Sequence, residues 1–346
     1  MSIAFITGVT GMDGSLLADF LLEKGYEVHG LVRQSTQFTP DKYGHLRGAM
    51  KNTNFQVHYG DLTDAMRLRD LIKDTRPDEV YNLAAQSHVG MSFEQPTNTA
   101  DVTAMGALNV LEAIRKSGVG SRFYNAGSSE MFGKVRETPQ NELTPFHPRS
   151  PYGCSKAFAY YTTQNYREAY DMFAVSGILY NHEHSRRGEN FVTRKITRAV
   201  GRILSGQQQK LELGNISAKR DWGYAPDYVK AMWMMLQRSK PEDFVIGTGE
   251  MHSVEQFLDA AFDVVGLRAR DYTIVSVPKH ERPSEVETLC ADASKAKREL
   301  GWQPSISFKQ LVEQMVLHDV KLAEQEAHPV KWLGRTIRPE VTFSDD

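Results

Sequence analysis

The N-terminal stretch runs strand, glycine turn, helix, strand, and that order commits the chain to a parallel βαβ unit. Ile3–Thr7 is a short apolar run, Gly8-Val9-Thr10-Gly11-Met12-Asp13-Gly14 is the turn, and Ser15–Lys24 places Leu16, Leu17, Phe20 and Leu21 at helical spacing. Gly25-Tyr26 stops the helix before a second apolar run, Val28–Val32. Similar runs at Phe55–Tyr59, Val80–Leu83, Phe123–Ala126 and Ala174–Leu179 are separated by helical patterns, the longest being Tyr152–Tyr170. The expected fold is α/β: a Rossmann-type doubly wound parallel sheet over residues 1–180, with some later segments returning to it.

After Asn181 the rhythm changes. A polar, basic segment leads to helical patterns around Val192–Leu204, Ala225–Arg238 and Val254–Val265, a strand-like run at Tyr272–Val277, and helices at Ser294–Leu300 and Phe308–Glu326. These predict a smaller C-terminal α/β substrate-binding lobe over residues 181–330. Residues 331–346 have little periodicity and read as a tail.

A length of 346 residues suits one large domain with a smaller lobe. The formal charge of -2 gives no general attraction for nucleic acid or anionic membrane, so an anionic ligand must be held by local basic residues. No apolar run approaches the roughly 20 residues that cross a bilayer. The N-terminus enters a strand pattern without a signal peptide, and the only cysteines are Cys154 and Cys290, which points to a reduced, cytoplasmic protein. No metal site is expected.

Glycines in a strand-to-helix turn let backbone amides approach a pyrophosphate at the positive end of the helix. Gly8, Gly11 and Gly14, with Met12 and Asp13 between them, are therefore candidate dinucleotide contacts; the plainer reading is a tight structural turn. The second strand ends in Arg33-Gln34-Ser35-Thr36, with no acid until Asp41. An arginine there suits NADP, where an acid would suit NAD, and the alternative for Arg33 is a solvated surface cation. Asp61, followed by Leu62, either meets the adenine or caps the next helix. Leu83, Ala85 and Ser87 end the fourth strand, where small residues let a cofactor pass.

Four residues carry the chemistry: Ser128, Glu130, Tyr152 and Lys156. Tyr152 and Lys156 lie four apart on one helical face, so the ammonium can lower the phenol pKa and also bind a nicotinamide ribose. Ser128 offers a hydroxyl, and Glu130 adds a proton-handling group that simple alcohol oxidation does not require. The plainer readings are a helix-surface contact for the Tyr/Lys pair and a helix cap or an arginine partner for Glu130.

With these pieces in order, the chain resembles the extended short-chain dehydrogenases/reductases, and within them the GDP-mannose 4,6-dehydratases. The superfamily marks are Thr7-Gly8-x-x-Gly11-x-x-Gly14, Ser128-Ser129-Glu130-Met131-Phe132-Gly133 and Ser150-Pro151-Tyr152-Gly153. More specific are Asn181-His182-Glu183, Arg186-Arg187-Gly188, Asn190-Phe191-Val192-Thr193-Arg194-Lys195, Lys219-Arg220-Asp221-Trp222-Gly223 and Arg282-Pro283-Ser284-Glu285-Val286. The resemblance implies that Tyr152 takes the proton from the sugar's C4 hydroxyl while a hydride passes to NADP. Glu130 then removes the C5 proton and helps expel the C6 hydroxyl as water, Ser128 holds O4, and Lys156 positions the cofactor. It further implies cofactor contacts at His182 and Arg187, the Arg186-Arg187 loop being associated with neighbouring-subunit cofactor sites, and a homodimer or homotetramer. Substrate contacts implied for the GDP-sugar are Asn181, Lys195, Gly214, Lys219, Arg220, Arg282 and Glu285, with Ser87 near the sugar.

By contrast, Arg194 and Arg198 read as part of a solvated face, Trp222 as a packing residue, and His182 equally as a buried, hydrogen-bonded histidine. The chain departs from the family pattern at Ser128 (threonine is usual), Met12 (glutamine), Gln34 (arginine) and His184-Ser185 (Ser-Pro). Serine in place of threonine widens the pocket by a methyl group, which makes GDP-manno-heptose a rival substrate. A nucleotide-sugar epimerase or 4-keto reductase on the same scaffold is the further alternative.

Overall fold

The computed structural model describes residues 1–34, 43–277, 283–284 and 286–327, with the backbone of 330–332 and 335–337. The chain divides into two compact units. The first comprises Met1–His182, Arg220–Met251 and Arg282–Ser305; the second comprises Glu183–Lys219, His252–Glu281 and Ile306–Asp346.

The first unit is built on seven parallel strands: β1 (Ile3–Thr7), β2 (Glu27–Val32), β3 (Phe55–Tyr59), β4 (Glu79–Asn82), β5 (Arg122–Ala126), β6 (Ala174–Leu179) and β7 (Phe244–Ile246). Their order is β7-β6-β5-β4-β1-β2-β3. The chain winds outward from β1 to β3, then returns to β4 on the other side of β1. Thr7 is accordingly in register with Leu31 on one side and Asn82 on the other. That reversal opens a crevice at the carboxyl ends of β1 and β4, the ligand edge of a doubly wound sheet.

A parallel sheet needs cover on both faces, because its central strands are apolar on both sides. Helix α1 (Met12–Glu23) covers one face with the helix Ala225–Leu236, burying Leu17, Leu21, Val229 and Met232 with Ile6 and Val28. On the other face lie α2 (Ala65–Thr75), α3 (Gly106–Ser117) and α4 (Pro151–Tyr170), whose Leu68, Leu71, Val110, Leu111 and Tyr166 pack with Phe5 and Phe123. Each such side chain contributes roughly 1.5–3 kcal/mol when fully buried.

Two expectations need correction here. The helix expected at Ala225–Arg238 in the smaller lobe belongs to the first unit, because its apolar face completes the layer begun by α1. The sheet also gains β7, a three-residue strand not anticipated from the sequence, which pairs with Gly177–Leu179.

In the second unit, the helices Val192–Leu204 and Phe308–Ala327 pack against each other and against Val254–Asp263. The last of these starts with a reciprocal cap between Ser253 and Gln256. Leu211–Glu212 pairs with Thr273–Ile274, so the strand expected over Tyr272–Val277 is confined to two residues.

Candidate active site

β1 ends in the middle of the sheet and delivers the glycine turn to the crevice. Gly8 has φ +72°, and a Cβ there would lie 2.8 Å from the Ala84 amide nitrogen, so only glycine passes the β4 loop this closely. Gly11 is the N-cap of α1 and supplies no side-chain cap to the amides of the first turn, which form a cradle for an anion. Thr7 ties the turn to the neighbouring strand: its hydroxyl donates to Asn82 Oδ1 (2.9 Å) and accepts from the Leu83 and Ala84 amides (3.1 and 3.2 Å). Met12 is buried beneath the turn, whereas Leu83 and Ala85 are part-exposed and Ser87 is exposed on the β4 loop.

Arg33 is exposed at the end of β2, beside exposed Gln34. Asp61 does not cap α2. Its Oδ1 accepts from the amide and hydroxyl of Thr63 (2.9 and 2.8 Å), and Asp64 caps the helix by accepting from the Arg67 amide (3.0 Å). Leu62 is buried against Gly106, and its carbonyl accepts from Asn109 Nδ2 (2.8 Å).

Helix α4 starts with Ser150, whose Oγ accepts from the Gly153 amide (3.0 Å), and with Pro151 in its first turn. That start fixes the rotation of the helix and buries Tyr152 and Lys156 one turn apart, at 8% and 5% exposure. Lys156 Nζ donates to the Ala126 carbonyl (2.7 Å) and lies 5.8 Å from the centre of the Tyr152 ring. Burial pushes the Lys156 pKa down from 10.5 to about 8, against the opposing pull of Asp13.

The β5 loop brings the other two members. Ser128 Oγ accepts from the Glu130 amide (3.2 Å), an arrangement that leaves the hydroxyl hydrogen for another acceptor. Glu130 is buried in the short turn Ser129–Met131, and a Cβ on Gly153 would lie 2.8 Å from its carbonyl oxygen, so this loop packs directly on the helix carrying Tyr152. All four expected catalytic residues thus come from one loop and one helix of the first unit.

The sequence reading missed a buried polar row behind them. Asn82 Nδ2 donates to Asn125 Oδ1 and Asn125 Nδ2 donates to Ser176 Oγ, each at 3.3 Å, linking β4, β5 and β6. Its signal was an asparagine in each of β4 and β5 and a serine in β6, polar residues within apolar strands. Asp221 was missed as well: fully buried, it accepts from Thr248 N and Oγ1 (2.9 and 2.7 Å), Gly249 N (2.8 Å) and Ala291 N (3.2 Å). It holds together the segments that follow β7.

Among the remaining candidates, His182 and Arg220 are buried and Asn181 is part-exposed in the first unit, where Trp222 is buried as expected. In the second unit, Lys195 Nζ donates to the Glu212 carbonyl (2.7 Å), the Gly214 carbonyl accepts from the Ser276 amide (3.2 Å), and Lys219 is exposed. Arg187 pairs with buried Glu183 (3.3 Å) and stacks on Phe191 at 3.8 Å. Arg194 and Arg198 are not a solvated face. They are 5% and 1% exposed, paired with Asp319 (2.8 Å) and with Glu189 and Glu326 (2.9 and 2.7 Å). Arg282 and Glu285 lie outside the described residues. No cluster of metal-binding side chains occurs among the described residues.

The family model described as GDP-mannose 4,6 dehydratase matches residues 5–315. The chain belongs to that family. It is 56% identical over 331 residues to GDP-mannose 4,6 dehydratase 1 of Arabidopsis thaliana, covering 94% of this chain and 91% of the plant protein. To the Homo sapiens GDP-mannose 4,6 dehydratase it is 50% identical over 342 residues, covering 93% and 92% of the two chains. Among solved structures, a Thermus thermophilus UDP-glucose 4-epimerase in complex with NAD superposes with a TM-score of 0.79 at 26% identity, covering 92% of this chain and 98% of that one. Family membership therefore rests on most of the chain, and the fold reading on its Rossmann sheet.

Proposed function

We propose that the chain is a GDP-mannose 4,6-dehydratase that keeps NADP bound through the catalytic cycle. The observation that carries this reading is Glu130 buried in a loop packed on the Tyr152/Lys156 helix, within a chain of this family. A redox pair without such a carboxylate oxidises or epimerises; the carboxylate adds the means to eliminate.

The turn fits a dinucleotide: Gly8, Gly11 and Gly14 let the backbone fold tightly on itself and on the β4 loop at the N-terminus of α1, and Arg33 at the end of β2 suits the extra phosphate of NADP. Asp61, Leu62, Leu83, Ala85 and Ser87 line its adenine and ribose side. A bound nicotinamide supplies a reversible hydride acceptor, so oxidation at C4 and reduction at C6 balance within one turnover. Tyr152, as phenolate, takes the C4 hydroxyl proton, with the Lys156 charge one turn away favouring that form. Ser128 donates its hydroxyl hydrogen to O4. The resulting 4-keto sugar has an acidic C5 proton, which Glu130 removes; the protonated carboxyl then gives a proton to the departing C6 hydroxyl, and water leaves. Asn181, Lys195, Gly214, Lys219 and Arg220 are the residues assigned to the GDP part.

The protein works as a homodimer or homotetramer in the cytoplasm. Phe158 and Tyr161, about one turn apart on α4, are 43% and 56% exposed and form an apolar patch suited to a second copy, and Cys154 and Cys290 are free. One observation favours a second reading: Ser128, smaller than the family's usual threonine, leaves space for GDP-manno-heptose.

Incubation with GDP-mannose and catalytic NADP+ tests the proposal. A 4-keto-6-deoxy product without net NADPH supports it; stoichiometric NADPH or an epimer overturns it. The same assay with GDP-manno-heptose in competition assigns the sugar.

A further inference from the structure

His182 has both ring nitrogens committed to oxygen acceptors. Nδ1 lies 2.7 Å from the Tyr180 carbonyl oxygen, and Nε2 lies 3.0 Å from Asp13 Oδ2. A neutral imidazole donates from one nitrogen only and would turn the lone pair of the other toward an oxygen; the imidazolium satisfies both. The ring is 8% exposed and stacked on Tyr228 with centroids 4.4 Å apart and planes 22° apart, a placement that favours a cation over a π face.

Asp13 stands in the first turn of α1, inside the glycine turn. A helix N-terminus welcomes one anion, but a carboxylate already there repels an arriving pyrophosphate unless a cation offsets it. We propose that Asp13 and His182 form a carboxylate–imidazolium pair that positions the dinucleotide turn and keeps it receptive to a polyanionic cofactor, a function lost when His182 gives up its proton. His182 thus acts on the turn as a positioning residue.

Titratable groups around the pair come from three neighbouring elements. Lys156 of α4 feels the Asp13 charge as support for its ammonium, Tyr124 of β5 feels it as an obstacle to ionisation, and Tyr228 of the helix Ala225–Leu236 lies flat on the imidazole. The pair links residues 169 positions apart, from the first turn of the fold to the end of β6, so its loss releases the turn from the far side of the crevice.

The inference rests on the dinucleotide site proposed above, and its test separates the two. Ring 15N NMR of His182 in the unsubstituted, cofactor-free protein reads the pair directly: both nitrogens protonated at pH 7, with the titration moved to lower pH in Asp13→Asn. NADPH titration reads the consequence. Affinity holds at low pH and falls as His182 deprotonates; His182→Gln weakens NADPH about tenfold at pH 7. Asp13→Asn/His182→Gln recovers to within about threefold, because the carboxylate that needed offsetting is gone. A purely structural contact predicts the opposite, with the double variant no better than His182→Gln. A neutral, single-tautomer His182 at pH 7 overturns the proposal whether or not the variants fold. Failure of the parent protein to bind NADPH overturns the cofactor-site reading instead, and the NMR result still decides the pair.

Discussion

Lys156 donates from Nζ to the Ala126 carbonyl at 2.7 Å, so α4 is pinned to the last residue of β5 by a buried ammonium. That position is costly. Burial lowers the pKa to about 8 in the folded protein, against 10.5 for the ordinary group. Between those values the unfolded chain holds a proton that the folded chain does not, so stability rises with pH; below about 8 the full cost is present. Lys156→Met should therefore be more stable than the parent at pH 7, by roughly 2 kcal/mol after the lost hydrogen bond is counted. The advantage should shrink as pH rises toward 10.5, where the unsatisfied Ala126 carbonyl makes the variant the weaker protein. Urea unfolding at pH 7 and above pH 10 measures both ends. Turnover should drop at least about 100-fold in the same variant.

Glu130→Gln keeps the shape of the β5 loop, since the Ser128 contact is made by the Glu130 amide and not by its side chain. Fold and GDP-mannose affinity should survive. Water elimination should fall about 10²- to 10⁴-fold, and solvent deuterium should no longer enter C5. Deuterium incorporation at the parent rate would mean that another base serves C5.

Gly8→Ala tests the cradle. The added methyl meets the β4 loop at 2.8 Å and the residue is held at φ +72°, a combination that costs about 1–3 kcal/mol. The melting temperature should drop, and NADPH should bind at least about tenfold more weakly because the turn must shift. Parent-like NADPH affinity would place the dinucleotide elsewhere.

What the sequence revealed followed the range of the interactions involved. The glycine turn, the start of α4 and the Tyr152/Lys156 pair are local, fixed by residues within one turn of each other, and their spacing is visible. β7 is three residues long, and its pairing partner Gly177 lies 67 residues before Phe244, so neither length nor period marks it. The helix Ala225–Leu236 was legible as a helix; an amphipathic pattern does not say which surface receives it. His182 shows the same limit at the site: the motif Asn181-His182-Glu183 marked it, but its partner is 169 residues away. Polar residues inside apolar strands, such as Asn82 and Asn125, carried a signal that strand counting passes over.

Arg194 is the sharpest case, because in sequence it is one more cation in a basic run. In the structure its Nε donates to Asp319 Oδ2, 125 residues on, at 2.8 Å, and its Nη1 donates to the Arg187 carbonyl at 3.1 Å. Asp319 is fully buried and also accepts from Thr197 Oγ1 (2.6 Å). The pair therefore anchors the Arg187 loop to the helix Phe308–Ala327. Asp319→Ala leaves a guanidinium buried without its carboxylate and should cost about 3–5 kcal/mol. The double substitution Arg194→Met/Asp319→Leu removes both charges and should recover most of that loss, although the Arg187 carbonyl loses its donor. Urea midpoints of the parent, the single and the double variants decide it. A cost below about 1 kcal/mol for Asp319→Ala would mean that water reaches the pair and that the basic run is solvated after all.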